Sequence, residues 1–370
     1  MTDSPPLERT GLFTGFLHCF IAFDWGEEVS LDKARHLVPA QLHSLPRRSR
    51  TPASITYQSP PLRFDLSPVT LTLPVLEAVE IQFDLLLFDF GAVSLEMQIP
   101  FRLPASELTR LAGALCDPSL FVKAAREASE TIYHRLRPAI DHPHWIDLSE
   151  EYFVFQLIPD PETPAPAQFL AQSPAWLAGL VRLEANPLSD SEITEALRLR
   201  LSYSPQDLIV VDWTAAVVVD RDCGEILETM AFANLQLLEF RHIDNRLDER
   251  LKTAYGLIQQ LAQTNRPIWR RHARSLRDLG ALKVEVDLMF EKASSALTLV
   301  GDPYVARVYH QVAARFHLDE WGQNIRRSIT VLESIYQVVS NQASSYRNET
   351  LEIAVVLLIV IEILLAVFRH

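Results

Sequence analysis

Apolar and polar residues alternate along much of the first hundred positions. Between 79 and 85 every second residue is apolar, beginning with Val79, and the residues between are polar. A period of two is typical of a strand with one buried face. Leu12–Asp24 is predicted to be a further strand, and Asp89–Gly91 is predicted to turn the chain inside the long apolar segment 69–101. The pattern therefore predicts a mainly β beginning.

Helices and strands are mixed between 104 and 224. Two segments that open with proline, Pro104–Leu115 and Pro118–Arg137, are predicted helices. Nearly unbroken apolar runs at Leu208–Val211 and Ala215–Val219 predict central strands. We predict an α+β domain at 1–158, which ends in a strand at 150–158. A linker follows at 159–167, where four of nine residues are proline. Helices at 168–183 and 189–199, together with the central strands, are predicted to complete the α+β part at 168–224.

From 225 onward the spacing of apolar residues changes to three and four, which is typical of helices. Two long helices are predicted first, the second with an apolar stripe at 279–297, and a short helix follows near 303–316. The last helix carries a seven-residue apolar repeat, which we call the heptad seam: Leu318, Ile325, Leu332, Val339 and Tyr346. Such a repeat favours coiled-coil packing. We therefore predict a helical hairpin and stalk over 225–350, paired within one chain or with a second copy as a homo-oligomer.

The segment Ile353–Phe368 is apolar except for Glu362. A helix of this length measures roughly 24 Å, less than the roughly 30 Å hydrocarbon core of a bilayer. A buried core helix is the alternative, but a helix that is apolar on every face has no polar side to expose to water. Leu351 extends the apolar length, and local thinning of the bilayer can accommodate the rest. We expect a transmembrane helix at 351–368, with these anchor residues: Ile353, Leu358, Glu362 and Phe368.

The other end of the chain bears on the expected topology. The first residues, MTDSPPLERTG, lack the basic and apolar regions of a secretory signal, and they are not the Arg-rich, acid-poor sequence of a transit peptide. We therefore expect a tail-anchored protein with a single C-terminal span in the membrane. The bulk of the chain is expected on the cytoplasmic, or matrix-equivalent, side.

Composition excludes several classes of function. The chain has 370 residues, enough for two or three domains of about 150 residues. Its net charge of −13 argues against a broad nucleic-acid-binding surface. Eleven glycines argue against Gly-rich phosphate loops, and three cysteines without a Cys-x-x-Cys pair exclude a disulfide framework and a two-cysteine zinc or redox motif. No recognised catalytic or nucleotide-binding motif is present, so we predict no catalytic residues, no metal and no cofactor.

One basic segment departs from this acidic average. Five arginines surround a tryptophan between 266 and 277, and we call this group the basic patch: Arg266, Trp269, Arg270, Arg271, Arg274 and Arg277. The segment is predicted at the tip of the helical hairpin. It could contact lipid phosphates, RNA or an acidic protein, or it could be a solvated helix start paired with neighbouring carboxylates. It is the one segment for which the sequence allows nucleic-acid binding.

Two further groups of polar residues are candidates for chemistry. Asp141, His142 and His144 could share a metal ion. A closed zinc site needs four ligands, so a loop ordered by proline and packed by its tryptophan is the favoured interpretation. Asp207 and Asp212 flank an apolar strand. They could be active-site carboxylates, although we favour polar residues that merely end the strand.

Three C-terminal features carry a resemblance to a known family. They are HLDEW at 317–321, the helix that follows, and the closing run TLEIAVVLLIVIEILLAVF with its pair Leu351–Glu352 and its Ile–Glu–Ile step at 361–363. The chain resembles the "required for meiotic nuclear division" family, also called the Sad-interacting-factor family, over about 230–370. Ile353 stands where that family usually has Trp. In the N-terminal part, FDLLLFDFGAVSLEMQIPF is loosely similar to a strand–Gly–strand element of the family.

The resemblance implies a membrane-tethered protein without established catalytic activity, and some organellar members of that family are associated with mitochondrial translation. The predicted fold class is α+β, with long C-terminal helices ending in the transmembrane helix. We expect a non-enzymatic tether or scaffold that presents the α+β domain to an unidentified protein partner. The alternative is a membrane-associated enzyme or ligand sensor with its site in the α+β region. A deep pocket with two convergent carboxylates or histidines would favour that alternative.

Overall fold

The structure is a computed structural model of the chain. It describes residues 12–42, 55–76, 78–160, 165–263, 284, 286–288, 290–293, 297–299 and 303–368. The chain divides into two compact units. The first comprises Met1–Arg241 and Lys292–Asp319, and the second comprises His242–Glu291 and Glu320–His370.

The described elements confirm the α+β fold class. The strands are β1 (Phe13–Asp24), β2 (Glu28–Val29), β3 (Gln41–Leu42), β4 (Ile55–Tyr57), β5 (Leu62–Asp65), β6 (Val69–Leu71), β7 (Val79–Ile81), β8 (Phe83–Leu87), β9 (Ala92–Leu103), β10 (Ile140–Asp141), β11 (Ser149–Leu157), β12 (Arg200–Leu201), β13 (Leu208–Val211), β14 (Ala215–Val219) and β15 (Leu297–Leu299). The helices are α1 (Leu31–Leu37), α2 (Ala105–Ala114), α3 (Ser119–Leu136), α4 (Pro166–Gln172), α5 (Pro174–Arg182), α6 (Asp190–Ala196), α7 (Gly224–Gln263), α8 (Pro303–Arg315) and α9 (Leu318–Phe368).

A mixed sheet of nine strands forms the centre of the first unit. Its order is β12-β13-β14-β11-β1-β9-β8-β5-β3. The pair β11 and β14 is parallel, and the other neighbours are antiparallel. The long strands β1 and β9 pair along their whole length, from Phe13 opposite Leu103 to Asp24 opposite Ala92. Because β1 is central, its residues from Leu17 to Asp24 are buried on both faces.

One face of the sheet is wholly apolar along β1, where alternate side chains from Leu17 to Phe23 enter the main core. Helices α2, α3 and α5 cover this face with residues such as Leu108, Phe121 and Leu177. Burying each of these side chains contributes roughly 1.5–3 kcal/mol. This apolar layer therefore stabilises the sheet from one side, and the polar groups lie on its other face.

The opposite face packs against the first turns of α7. Ala22 contacts a smaller apolar cluster that includes Phe232, Leu235 and Leu238 of α7, together with Phe88. Several polar residues of α7 are also buried, among them Thr229, Asn234, Gln236 and Glu239. The first unit thus has an apolar layer on one side of the sheet and a partly polar layer on the other.

The predicted turn at Asp89–Gly91 is present between β8 and β9. Gly91 has φ +96°, which favours glycine because a side chain there is strained. A Cβ atom at this position would lie 1.7 Å from the carbonyl oxygen of Gly26. The close approach lets the Trp25 N–H donate to the Gly91 carbonyl at 3.1 Å and joins the end of β1 to the hairpin.

In the second unit, α9 buries part of the heptad seam. Ile325 and Leu332 are buried, and the guanidinium of Arg326 lies 5.1 Å from the ring centre of Phe290. The side chains of Val339 and Tyr346 lie outside the described residues. Leu318 is also buried, at the start of α9 in the first unit. Pairing of the seam with a second copy stays a prediction.

Two sequence-based assignments of elements are wrong. The helix predicted at 279–297 does not include Leu297, which begins β15 and pairs with Tyr57 of β4. The helix predicted at 168–183 is two helices, because Ser173 has a non-helical conformation before Pro174 starts α5. Proline has no N–H to continue the ladder of a preceding helix, so a break at this point follows from local chemistry.

The expected membrane span at 351–368 gains no support from the structure. It lies in the continuous helix α9, which does reach Phe368 as predicted. Within the part of the chain that the structure describes, no helix has the length and apolarity needed to cross a membrane. The side chains of Ile353, Glu362 and Phe368 fall outside the described residues, whereas Leu358 is described and exposed.

Candidate ligand-binding site

A cavity of about 300 Å³ lies between the polar face of the sheet and the first turns of α7. We call it the α7 pocket. Strands β1, β5, β8 and β9 form its base, and α7 covers one side. Its lining comprises His18, Phe20, Arg63, Asp84, Leu86, Ser94, Glu96, Gln98, Gly224, Leu227, Glu228 and Ala231. This volume is at the lower end of the range for small-molecule sites.

Alternation along neighbouring strands explains why these residues meet. In β9, Ser94, Glu96 and Gln98 are two residues apart and therefore project from the same face. Glu96 lies opposite Phe20 of β1 and opposite Asp84 of β8. The register of three strands therefore brings these polar groups beneath α7.

His18 lies at the base of the pocket and is only 2% exposed. Its Nδ1 is 2.9 Å from Glu96 Oε1, and its Nε2 is 3.0 Å from Gln156 Oε1. The amide nitrogen of Gln156 donates to the carbonyl of Asp220 at 3.0 Å, which turns the amide oxygen toward His18. Both ring nitrogens therefore lie within hydrogen-bond distance of a side-chain oxygen. The histidine is held in one orientation from both sides.

Two carboxylates converge at the mouth of the pocket. Asp84 and Glu96 are direct cross-strand neighbours, and like charges in that position are normally destabilising. Arg63 offsets the repulsion with a 2.9 Å ion pair to Asp84. Burial raises the pKa of Asp84, Arg63 acts to lower it and Glu96 to raise it, and the resulting pKa lies above its ordinary value. The pair is thus poised to accept a further positive charge.

Helix α7 adds a third carboxylate to the lining. Glu228 accepts a 2.5 Å hydrogen bond from the hydroxyl of Tyr57. Burial and the nearby carboxylate raise the pKa of Tyr57 well above its usual value, so this phenol stays a donor at neutral pH. Apolar walls are supplied by Phe20, Leu86 and Leu227.

Ser94 is a lining residue of low exposure whose side chain makes no hydrogen bond among the described residues. It is 5% exposed and lines the pocket between Ala22 and Leu86 of the adjacent strands. Its oxygen is not among the described side-chain atoms that are fully buried without a hydrogen-bond partner, so it is open to the pocket. A partner for this hydroxyl can therefore come from the contents of the pocket.

The sequence-predicted candidates lie elsewhere. The basic patch, from Arg266 to Arg277, is outside the described residues. His142 lies 3.2 Å from Glu27, and these two residues with Asp141 could reach one ion, but Asp141 and His142 are exposed and such surface clusters are common without a metal. The expected packing of the adjacent tryptophan is present, since Trp145 contacts Phe23, Trp25 and Tyr133.

Asp207 and Asp212 are not brought together in one site. Asp207 accepts hydrogen bonds from the backbone N–H groups of Tyr203 and Ser204 and from the hydroxyl of Tyr304. Although burial acts in the other direction, these bonds leave its pKa lowered. Asp212 belongs to a buried ion-pair network with Arg315. Both residues therefore have structural partners at the strand ends.

Sequence reasoning missed the α7 pocket altogether. A signal was present, because His18 and Glu96 interrupt otherwise apolar strand segments at positions that alternation places on one face. Polar residues at these positions of apolar strands indicate that their face is not simply core. Their contact joins residues 78 positions apart, and no local pattern predicts that pairing.

Comparison with known protein families gives a match over the part of the chain that contains the sheet residues of the pocket. Residues 14–225 match the model of the family described as "Uncharacterized protein MJ0711, N-terminal domain". The "Uncharacterized protein MJ0711" of Methanocaldococcus jannaschii is 24% identical over 206 residues, which are 55% of this chain and 62% of that relative. The similarity thus spans less than two thirds of the relative's length. No solved structure matches the chain.

The resemblance to the "required for meiotic nuclear division" family is therefore a wrong assignment. The matching family model covers 14–225, whereas that resemblance rested on about 230–370. Its main motif was an apolar run with two glutamates. Any long apolar helix can share such a run, because its composition reflects only the lack of a polar face. The motif was too general to identify a family.

Proposed function

This chain belongs to the family of the uncharacterized protein MJ0711, N-terminal domain, and we propose that its α+β unit is a small-molecule-binding module. The proposed site is the α7 pocket. The observation that carries the proposal is the convergence of Asp84 and Glu96 in a cavity that Ser94 also lines. The proposal takes up the sensor alternative of the sequence analysis.

The division of roles within the pocket supports binding. The inner part is held rigid by the His18 hydrogen bonds on one side and by α7 on the other. The carboxylates at the mouth remain about one third exposed, so they are accessible to a ligand from solvent. A rigid base with accessible charged groups reduces the ordering cost of binding. We propose recognition without chemistry, since His18 already uses both ring nitrogens.

The proposed function predicts saturable binding that depends on open space next to α7. Benzylamine, benzyl alcohol and benzoate serve as probes of similar shape and different charge. We expect at least one to bind the full-length protein with a dissociation constant near 1 mM, which corresponds to about −4.1 kcal/mol. Ala231→Phe fills the pocket from α7 and should weaken binding at least tenfold, as measured by ligand-observed NMR.

The matched control is Ala171→Phe, which adds the same side chain at an exposed position of α4. It should leave probe binding unchanged. Circular dichroism and the thermal midpoint verify that each variant is folded. Absence of binding by all three probes, or equal binding by the folded Ala231→Phe protein, would refute the proposed function.

A second candidate function is the tether or scaffold expected from the sequence. It is supported by the aliphatic side chains from Val355 to Ile359 and by Ile361, which are 44–65% exposed in the structure. Five successive residues surround the helix, because one turn takes 3.6 residues. An apolar surface on every side favours burial against a membrane or a partner. We propose attachment of α9 to such an apolar surface, with homo-oligomer formation through the heptad seam as a further part of this proposal.

The tether proposal predicts that the end of α9 controls association with membranes. The full chain should sediment with membranes and resist carbonate extraction, and a chain ending at Arg347 should not. Leu357→Ser and Leu358→Ser together should give an intermediate result, because they remove apolar surface without shortening the helix. Equal sedimentation of the full and shortened chains would contradict attachment through this segment.

A further inference from the structure

We infer that the first unit holds a second binding site, a pocket for a small neutral aromatic molecule with one hydroxyl group. The site lies between α2, the junction of α4 and α5, and the segment 184–188, and we call it the α5 pocket. Its volume is about 510 Å³, which is within the range of small-molecule sites. It shares no lining residue with the α7 pocket, so the inference does not depend on the function proposed above.

The walls of the α5 pocket are largely apolar. They include these side chains: Pro174, Ala175, Trp176, Ala185, Pro187 and Leu188. The indole of Trp176 is partly exposed, and its N–H donates to the carbonyl of Ala105 at 3.1 Å. The ring of Phe13 stacks on this indole with centroids 5.0 Å apart. Because the indole is held in place, an aromatic ligand can pack against it at a low ordering cost.

Hydrogen bonds hold the chain that forms one side of the pocket. At the end of α5, Leu183 has φ +54°, and its carbonyl accepts a hydrogen bond from the thiol of Cys116 at 2.6 Å. The backbone N–H of Glu184 donates to the carbonyl of Gly179 at 2.9 Å. These bonds fix the beginning of the segment 184–188. The pocket is therefore largely formed before a ligand binds, as is usual for small-molecule sites.

The hydroxyl of Ser173 is the independent observation that points to a ligand. Ser173 lines the pocket and is 7% exposed, and its Oγ is fully buried without a hydrogen-bond partner among the described residues. Serine directly before a helix usually accepts a hydrogen bond from the first turn, but Ser173 makes no such bond to α5. Buried hydroxyls nearly always have a partner in the protein or in bound water. A hydroxyl group of a ligand can supply this partner.

The other polar groups of the lining favour a neutral ligand. Thr109 donates to the carbonyl of Ala105 at 3.1 Å. Asn186 donates to Glu184 through its backbone N–H at 2.9 Å and through its side-chain amide at 2.8 Å, and these bonds lower the pKa of Glu184. Glu184 is the one charged side chain among the described lining residues. It would repel an anion, and a cation would compete with the hydrogen bonds that it already accepts.

Binding of phenol and toluene to the full-length protein tests the ligand class. The two probes have similar shapes, and only phenol can form a hydrogen bond with Ser173. Phenol should bind saturably in ligand-observed NMR, and benzoate should bind about tenfold more weakly. Ser173→Ala should lower the ratio of phenol affinity to toluene affinity about threefold or more, while toluene still binds. An unchanged ratio in the folded variant, or benzoate that binds as tightly as phenol, would overturn the inferred neutral hydroxyl ligand.

Three phenylalanine variants test the location of the site. Ala175→Phe adds a bulky side chain at an exposed position of the lining and should weaken phenol binding about tenfold. Ala171→Phe on α4 lies outside the lining, and Ala231→Phe fills the α7 pocket, so both should leave phenol binding unchanged. Circular dichroism verifies that each variant is folded.

The same variants separate the two pockets. For any probe, binding that Ala175→Phe removes belongs to the α5 pocket, and binding that Ala231→Phe removes belongs to the α7 pocket. Phenol binding that is lost only in Ala231→Phe would overturn the α5 pocket as a site and would support the proposed function. Absence of saturable phenol binding would overturn this inference alone, because the α7 pocket is tested with the benzyl probes.

Discussion

Replacement of Asp212 by alanine is expected to lower the free energy of unfolding by about 3–5 kcal/mol, the usual cost of removing one partner from a buried ion pair. Asp212 is 1% exposed and follows β13. Arg315 donates to its Oδ1 through Nε at 2.6 Å, and Arg182 forms an ion pair with its Oδ2 at 2.9 Å. Without the carboxylate, two largely buried guanidinium groups would lose their buried partner and keep only the more exposed Glu195 and Glu192.

The network also explains how α8 is attached to the sheet. Arg315 belongs to the last turn of α8, and its other nitrogen donates to Glu195 of α6 at 2.9 Å. The hydroxyl of Tyr152 donates to the carbonyl of Asp212 at 3.1 Å, so the same residue joins β11 to the network. Asp212→Ala should therefore loosen α8 before the sheet, which hydrogen exchange resolved by mass spectrometry can detect.

The control for this prediction is Glu192→Ala. Glu192 pairs with Arg182 at 3.3 Å but is about half exposed, and such pairs are usually worth less than 1 kcal/mol. Urea unfolding of both variants at pH 7 provides the comparison. Equal, small losses of stability in the two variants would show that the buried charge of Asp212 is not required.

Glu239→Gln is expected to stabilise the protein at neutral pH, and its advantage should increase as the pH rises. Glu239 is 1% exposed on α7, and its Oε1 has no hydrogen-bond partner among the described residues. Burial, together with the charge of Asp24, raises the pKa of Glu239 well above its ordinary value. Ionisation of this side chain in the folded protein is thus unfavourable.

The pH range of the effect follows from the raised pKa. Below the pKa of glutamate in an unfolded chain, about 4.3, the side chain is neutral in both the folded and the unfolded state. Its ionisation then does not change the free energy of unfolding. Between that value and the raised pKa of the folded state, Glu239 is ionised in the unfolded chain but still protonated in the folded protein. The free energy of unfolding of the wild type therefore falls as the pH rises through this interval. Each unit of separation corresponds to about 1.4 kcal/mol. Glutamine is neutral throughout and avoids this loss.

Thermal or urea unfolding between pH 4.5 and 9 measures the effect. The stability difference between Glu239→Gln and the wild type should be small at the acidic end and grow toward neutral pH. Glu127→Gln, at an exposed position of α3, should show no such trend. A difference that does not change with pH, or a destabilised glutamine variant, would mean that Glu239 is charged and paired in the folded protein.

Local chemistry was sufficient to predict many elements of this chain. β1 was predicted from its continuous apolar run, and the turn before β9 from Asp–Phe–Gly. The last helix followed from the spacing of its apolar residues and the span at 351–368 from its apolar run, and the structure has both in one helix from Leu318 to Phe368. In each case the interactions that determine the element join residues close in sequence. The local pattern of apolar and polar residues is therefore enough to predict the element. The break at Ser173–Pro174 has the same local origin, although the sequence analysis did not use it.

The elements that the sequence analysis placed wrongly depend on distant partners. Leu297–Leu299 continues a helical pattern, yet it forms a strand because it pairs with β4, some 240 residues earlier. The site shows the same dependence. His18 could be recognised as a polar residue in an apolar strand, but its partners Glu96 and Gln156 are 78 and 138 positions away.

The amino-acid sequence by itself determined the α+β class, the strand and helix character of most segments and the acidic charge, because these follow from side-chain periodicity and composition. Only the tertiary structure decided that Asp84 lies opposite Glu96, that α7 covers them, and that Ser94 lines the same pocket. Strand register and helix packing are set by the fit of many apolar side chains at once. That collective fit, which no single segment encodes, placed a pocket with several carboxylates on one face of the sheet.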